Sequence, residues 1–252
     1  MDLVQRDLCE ALCLAVTKPN LEELLAASPD NGGGVPIVVQ AWPAPEGKKE
    51  GFFAVAASFE ADGVEVFAVA FRSTQGLAEW VEYPKKFRAK PKDGDNNRGE
   101  FKVFEVFQET LDVVWNASGV LNKSPWNDDL REMIWRKLND GTHVWLTGQG
   151  KGGGVATVAA ARLLVGDSVD NRVLRDLLES AEGQSPTLSV VTFNAPMALN
   201  KALANEYTTR LSEVRAEHLR FEDKRDLLRS MPRVLFLKHV GESHEYDGAK
   251  SS

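Results

Sequence analysis

Residues 144–164 read VWLTGQGKGGGVATVAAARLL, and this stretch decides the fold. An apolar, strand-like run at 144–147 leads into a turn in which five of the seven positions 148–154 are glycine. An alanine-rich run with helical spacing follows from Val155 to Leu164. Glycine is needed where φ is positive or where two backbones approach closely. The stretch therefore predicts a strand that passes into a helix through a very tight turn.

Strand-like and helix-like runs alternate on both sides of this unit. We predict strands at 35–42, 52–59, 64–71, 143–146, 188–193, 218–221 and 234–237, and helices within 2–28, at 77–83, 101–121, 128–138, 155–164 and 169–182, and over most of 199–216. A hairpin followed by strand–helix alternation is typical of an α/β fold with a central, mostly parallel sheet flanked by helices. Length favours a single domain over 1–252, with 1–34 as an N-terminal helical segment.

Charge and cysteine content indicate which partners and which cellular compartment to expect. The chain has 30 Lys and Arg against 37 Asp and Glu, a net charge of −7, so no nucleic-acid partner is expected. The basic run at 85–92 is interpreted as a solvated loop. Cys9 and Cys13 are four residues apart and are expected to share one helix face as reduced thiols. We find no signal peptide and no transmembrane segment, and we expect a cytoplasmic location without metal or cofactor.

Three interpretations of the glycine turn compete. Gly148-x-Gly150-x-x-Gly153 fits the dinucleotide fingerprint, although no acidic residue ends the next strand. A purely structural strand-to-helix crossing also needs small residues. The third is a nucleophile elbow, G-x-S-x-G, in which Gly150 stands where the serine belongs.

Four segments in chain order resemble motifs of the class 3 (fungal-type) lipases, an α/β-hydrolase family. The turn TGQGKGG at 147–153 matches four of the seven letters of TGHSLGG. The segment FRSTQGLAEW at 71–80 is similar to F-R-G-[ST]-x-x-x-x-x-W, with serine at 73 in place of glycine. TFNAP at 192–196, followed by Asn200, resembles T-F-G-x-P-R-x-G-N, and 220–232 has the spacing of R-x5-D-x-V-x-x-x-P. The resemblance implies the α/β-hydrolase fold and, as the family's activity, the hydrolysis of lipid esters.

The resemblance also implies roles for individual residues. In such an enzyme a serine attacks the ester, a histidine accepts its proton, a carboxylate orients the histidine and nearby donors stabilise the oxyanion. By position, Asp226 matches the acid, and Thr74 and the backbone N–H of Lys151 match the oxyanion hole. Gly150 matches the nucleophile, so the attacking atom is missing.

No histidine is expected to act as the base. His143 enters its strand at the wrong end, and His218 begins a strand. The family's base follows the acid at a greater distance, and the 26 residues after Asp226 contain only His239 and His244. His239 resembles a non-catalytic histidine of the family. The base is therefore expected to be missing, or to lie beyond Ser252 in a longer chain.

These observations predict a catalytically degenerate lipase-like protein. An acyl, lipid or small anionic ligand is expected at Gly148, Lys151 and Gly152, since a helix N-terminus and a lysine both favour negative charge. One alternative is an active carboxylester or triacylglycerol hydrolase, for which Ser73 is a poor candidate nucleophile because nothing in the sequence places a base beside it. The other is a phosphate- or nucleotide-binding module on Gly148–Gly154. Simpler interpretations need no ligand: Lys151 is exposed to solvent and Asp226 is an acid in a surface loop. Trp115, Trp126 and Trp135 are then residues of core and lid packing.

Overall fold

The computed structural model describes residues 3–17, 37–43, 52–61, 63–73, 89–91, 101–117, 129–166, 174, 188–214, 216–226 and 237–245. The predicted helices at 77–83 and 169–182, Trp126 and most of the basic run at 85–92 lie outside these residues.

Helices and strands alternate along the described chain. The helices are α1 (Leu3–Ala15), α2 (Glu105–Trp115), α3 (Leu130–Asn139), α4 (Lys151–Val165) and α5 (Lys201–Glu213). The longer strands are β1 (Ile37–Pro43), β2 (Phe52–Ala61), β3 (Val64–Phe71), β6 (His143–Gln149), β7 (Leu188–Phe193) and β9 (Glu217–Glu222). The short strands are β4 (Ala89–Pro91), β5 (Lys102–Phe104), β8 (Leu199–Asn200), β10 (Leu237–Lys238) and β11 (Glu242–Glu245).

The main sheet has the order β1-β2-β3-β6-β7-β9-β11. Strands β1, β2 and β3 pair antiparallel, and every pairing from β3 to β11 is parallel. The predicted hairpin between β2 and β3 is confirmed, with Gly63 at φ 75° in its turn. Because the strands from β3 onward run the same way, their carboxyl ends meet at one edge of the sheet, where ligands bind in open α/β sheets. A second, four-stranded sheet has the order β10-β8-β5-β4.

Helices cover both faces of the central strands. One face packs against α2, α3, α4 and α5 in a large cluster that includes Trp115 and Trp135, both buried as predicted. The other face packs against α1, whose free thiols Cys9 and Cys13 lie buried near Trp145. The mostly parallel sheet with flanking helices confirms the predicted α/β class. None of the described helices is long and apolar enough to cross a bilayer.

Two predicted helix boundaries are wrong. The expected helix at 101–121 begins only at Glu105, because Lys102–Phe104 form β5 and pair with β4 and β8. Apolar residues at 101, 103 and 104 fit a strand as well as a helix, and the pairing decides between them. The helix expected from Val155 begins at Lys151 and includes three glycines, because tertiary packing overrides their low helix propensity.

Candidate functional site

The glycine turn lies at the carboxyl edge of the sheet, between β6 and α4. Gly150 is the single residue between strand and helix, with φ 52° and ψ −118°. Its N–H donates to the carbonyl of Phe193 on β7 (2.8 Å), and its carbonyl accepts from the N–H of Gly154 (3.1 Å). This is the sharp, strained strand-to-helix turn of a nucleophile elbow. The apex residue has no side chain, and glycine is the residue that adopts this conformation with least strain.

Two glycines of the turn are required by close backbone approach. A Cβ on Gly148 would overlap the carbonyl group of Gly152, and a Cβ on Gly152 would overlap the carbonyl oxygen of Phe71 on β3. Gly150 differs, since among the described residues a Cβ there would meet only Ser73 Oγ, at 3.3 Å. Gly148 and Gly152 therefore close the turn, whereas at Gly150 no described backbone atom excludes a side chain.

Two cationic side chains share one aromatic ring beside the turn. The guanidinium of Arg72 lies 5.1 Å from the centre of the Phe53 ring, and Lys151 Nζ lies 5.9 Å from it. Arg72 is buried, and its backbone N–H donates to the backbone carbonyl of Phe53 (2.9 Å). Lys151 is half-buried in the first turn of α4, so its side chain packs over the ring rather than extending freely into solvent. The helix N-terminus and both cations favour negative charge at this edge.

Asn194 connects the ends of β7 and β9 at the same edge. Its φ is +48°, and no other described non-glycine residue has a positive φ. Its N–H donates to the carbonyl of Phe221 (2.8 Å), and its Oδ1 accepts from the N–H of Asp223 (2.7 Å). Asn194 was assigned no role from the sequence, although asparagine in place of the motif's glycine was the available signal, since both residues tolerate this conformation.

Replacing Asn194 with alanine is expected to destabilise the protein by about 2 kcal/mol, because alanine is strained at positive φ and leaves the Asp223 N–H without its acceptor. Asn194→Gly relieves the strain and should cost about half as much. Urea unfolding of both variants measures the difference. A glycine variant less stable than the alanine variant would contradict this account of the turn.

Asp226 lies in the turn that follows β9, also beyond the carboxyl edge. It is half-buried, and its N–H donates to the carbonyl of Asp223 (3.0 Å). The carboxylate of Asp223 binds the Arg225 guanidinium through both oxygens (2.9 and 2.7 Å). The structure thus puts Gly150, Lys151 and Asp226 at one edge of the sheet. Thr74 lies outside the described residues.

None of the four histidines has a described contact with the glycine turn. His143 begins β6, at the opposite edge, where its Nε2 lies 2.9 Å from Ser189 Oγ, which in turn donates to Glu217 (2.7 Å). His244 stacks on Phe221 at 5.6 Å, on a strand separated from β6 by β7 and β9. His239 lies just before β11.

His218 is buried between β9 and α5. Its Nδ1 lies 2.9 Å from the Tyr207 hydroxyl, which is also buried. Burial lowers the pKa of His218 to about 3, and the nearby Arg220 and His239 act in the same direction. His218 therefore stays neutral at physiological pH inside the core and is held away from the turn.

The buried thiols do not provide an alternative nucleophile. Burial raises the pKa of Cys13 to about 12, although a hydrogen bond with Thr147 (3.4 Å) opposes the shift, and burial also raises the pKa of Cys9. Both thiols lie on the face of α1 that packs against the sheet, so they are un-ionised and shielded from solvent. Within the described ranges, no three His, Cys, Asp or Glu side chains lie close enough together to hold a metal ion.

Solved structures of fungal lipases have the same fold as this chain. The family model "Lipase (class 3)" matches residues 68–236, about two-thirds of the chain. A lipase from Rhizopus microsporus var. chinensis superposes with a TM-score of 0.62 at 16% identity, over 97% of this chain and 75% of that one. The triacylglyceride lipase of Rhizomucor miehei gives 0.61 at 16%, over 97% and 81%. A triacylglycerol lipase from Penicillium expansum gives 0.60 at 13%, over 96% and 79%. A search of curated sequences found no match.

The chain has the α/β-hydrolase fold, with the glycine turn directly after a central parallel strand. The chain belongs to the class 3 lipase family.

Proposed function

We propose that this chain is a non-hydrolytic member of the class 3 lipase family, which binds an acyl or other anionic ligand at the elbow and does not cleave it. One observation carries the proposal: the apex of the elbow is Gly150, which has no atom that could attack an ester. A serine hydrolase places its nucleophilic oxygen at this point of the turn.

The positions of the histidines support the same proposal. A serine nucleophile needs a base within hydrogen-bond reach, and the described contacts of His143, His218 and His244 are with residues outside the glycine turn. Loss of nucleophile and base together removes about a million-fold of rate in serine hydrolases, equivalent to about 8 kcal/mol of transition-state stabilisation. The oxyanion donors and substrate binding alone leave only a slow background rate.

The elbow remains suited to an anionic head group. The N-terminus of α4 lies at this edge, where the helix dipole favours negative charge, and the cations of Arg72 and Lys151 pack over Phe53 beside it. The similar fungal lipases are described as acting on triacylglycerols, whose hydrolysis products are carboxylates. These features support a fatty acyl carboxylate as the class of ligand.

Ester turnover and active-site labelling test the proposal. The purified protein should hydrolyse p-nitrophenyl butyrate no faster than the same protein after heat denaturation, and a fluorophosphonate probe should not label it. Turnover well above that control, or stoichiometric labelling, would contradict the proposal. If either is seen, the labelled peptide identifies the nucleophile, and Ser73→Ala tests whether it is Ser73.

We also propose a cytoplasmic location. Cys9 and Cys13 are both free thiols, as expected in a reducing compartment. Imaging of the protein with a C-terminal fluorescent tag tests this; export of the tagged protein to the medium would contradict it.

A further inference from the structure

The Ser73 hydroxyl lies beside the apex of the elbow. Strands β3 and β6 run parallel with Phe71 opposite Gly148, so the chain two residues further along brings Ser73 alongside Gly150. A Cβ on Gly150 would lie 3.3 Å from Ser73 Oγ, and no other atom of the described residues beyond the glycine's own chain neighbours comes within 4 Å. Among the described residues, the side chain nearest to the apex is therefore that of Ser73, just beyond the end of β3.

We propose that Ser73 Oγ is the hydrogen-bond donor that holds the carboxylate of a fatty acyl ligand at the elbow, beside the position that a side chain on residue 150 would occupy. This inference rests on the proposed function. The hydroxyl groups of the two positions are exchanged relative to the family motifs, which have glycine at 73 and serine at 150, whereas this chain has Ser73 and Gly150.

The local chemistry suits a donor more than a nucleophile. Ser73 is half-buried, so its hydroxyl remains accessible to a ligand. It directly follows Arg72, and the nearby ring of Phe53 carries the Arg72 and Lys151 cations, which favour a negatively charged acceptor. The described contacts of His143, His218 and His244 do not include Ser73, and a serine hydroxyl carries a proton that it can donate to a carboxylate oxygen. Glycine at the apex places no side chain beside Ser73 Oγ.

Calorimetric titration with decanoate, compared with decanol, tests the inference. The unmodified protein should bind decanoate at least tenfold more tightly than decanol, because decanol has the same chain without the charge. Ser73→Ala should weaken decanoate binding about tenfold, as expected for a hydrogen bond to a charged group, and leave decanol binding unchanged. Ser73→Thr keeps the hydroxyl and should retain most of the affinity.

A matched control is Ser212→Ala. Ser212 lies near the end of α5, which leads into the start of β9 at the opposite edge of the sheet, and its hydroxyl donates only locally to the carbonyl of Thr209 (2.7 Å). This variant should bind decanoate normally, and circular dichroism should show that all variants are folded.

The two failures are distinguishable. If the unmodified protein binds neither decanoate nor decanol, the proposed acyl ligand is wrong and the role of Ser73 falls with it. If the protein binds decanoate but Ser73→Ala binds it equally well, the role of Ser73 alone is wrong. Equal affinity for decanoate and decanol would overturn carboxylate recognition at this site.

Discussion

Replacing Gly152 with alanine is expected to destabilise the protein by more than about 4 kcal/mol, a large part of the about 5–15 kcal/mol that stabilises a typical domain. The added Cβ would overlap the carbonyl oxygen of Phe71 and lie 2.8 Å from its carbonyl carbon. Both atoms belong to the backbone of β3, at the centre of the sheet, so neither can move aside without breaking strand pairing. The clash therefore separates α4 from the sheet.

Two other glycines provide matched controls for this substitution. Gly63 has φ +75°, and a Cβ there would meet nothing within 4 Å, so Gly63→Ala measures backbone strain alone, about 1–2 kcal/mol. Gly150 has φ +52° and one contact, with Ser73, so Gly150→Ala should cost about 1–3 kcal/mol. Urea unfolding of the three variants should rank Gly152→Ala as far the least stable. A mild effect at Gly152, equal to that at Gly63, would contradict the close approach of β3 and α4.

Acid is expected to destabilise the protein through His218. Its folded-state pKa is about 3, against about 6.5 in the unfolded chain, because burial disfavours the imidazolium. The unfolded state therefore binds the proton first as pH falls. The stabilisation is fully present above about pH 6.5 and is lost progressively between pH 6.5 and pH 3. Since one pKa unit corresponds to about 1.4 kcal/mol, the total loss is on the order of 5 kcal/mol. His143, whose pKa is also lowered by burial, acts in the same direction.

Urea unfolding at a series of pH values between 7 and 4 measures this loss. The double variant Tyr207→Phe/His218→Phe removes the titrating group together with its hydroxyl partner, so its stability should depend less steeply on pH, by up to about 1.4 kcal/mol per pH unit. Tyr207→Phe alone keeps the buried imidazole and should retain the steep dependence. If the double variant and the unmodified protein lose stability equally with acid, His218 does not control the acid response.

The class of fold could be predicted because its signals are local. The strand at 143–149, the glycine turn and the alanine-rich helix follow one another directly, and each has a clear periodicity or composition. The hairpin between β2 and β3 was equally clear from its turn residues. The segment at 101–104 was not, because a three-residue strand gains its stability from partners that are distant in sequence.

The candidate site was predicted only in part. Gly150 and Lys151 could be placed at the turn because they are contiguous with it, and the absence of a serine at 150 is visible in the sequence itself. The side chains around the turn depend on strand register, which the sequence does not show. The proximity of Ser73 to the apex follows from Phe71 pairing with Gly148, and the link made by Asn194 follows from the pairing of β7 with β9.

Local sequence by itself determined that a strand meets a helix through the turn at residues 148–154 and that residue 150 has no nucleophilic side chain, because both are properties of one short segment. Tertiary structure alone decided which glycines are indispensable, which hydroxyl lies beside the apex and how the histidines are held. Those features depend on distances between strands that are far apart in the chain, and only the packed sheet brings them together.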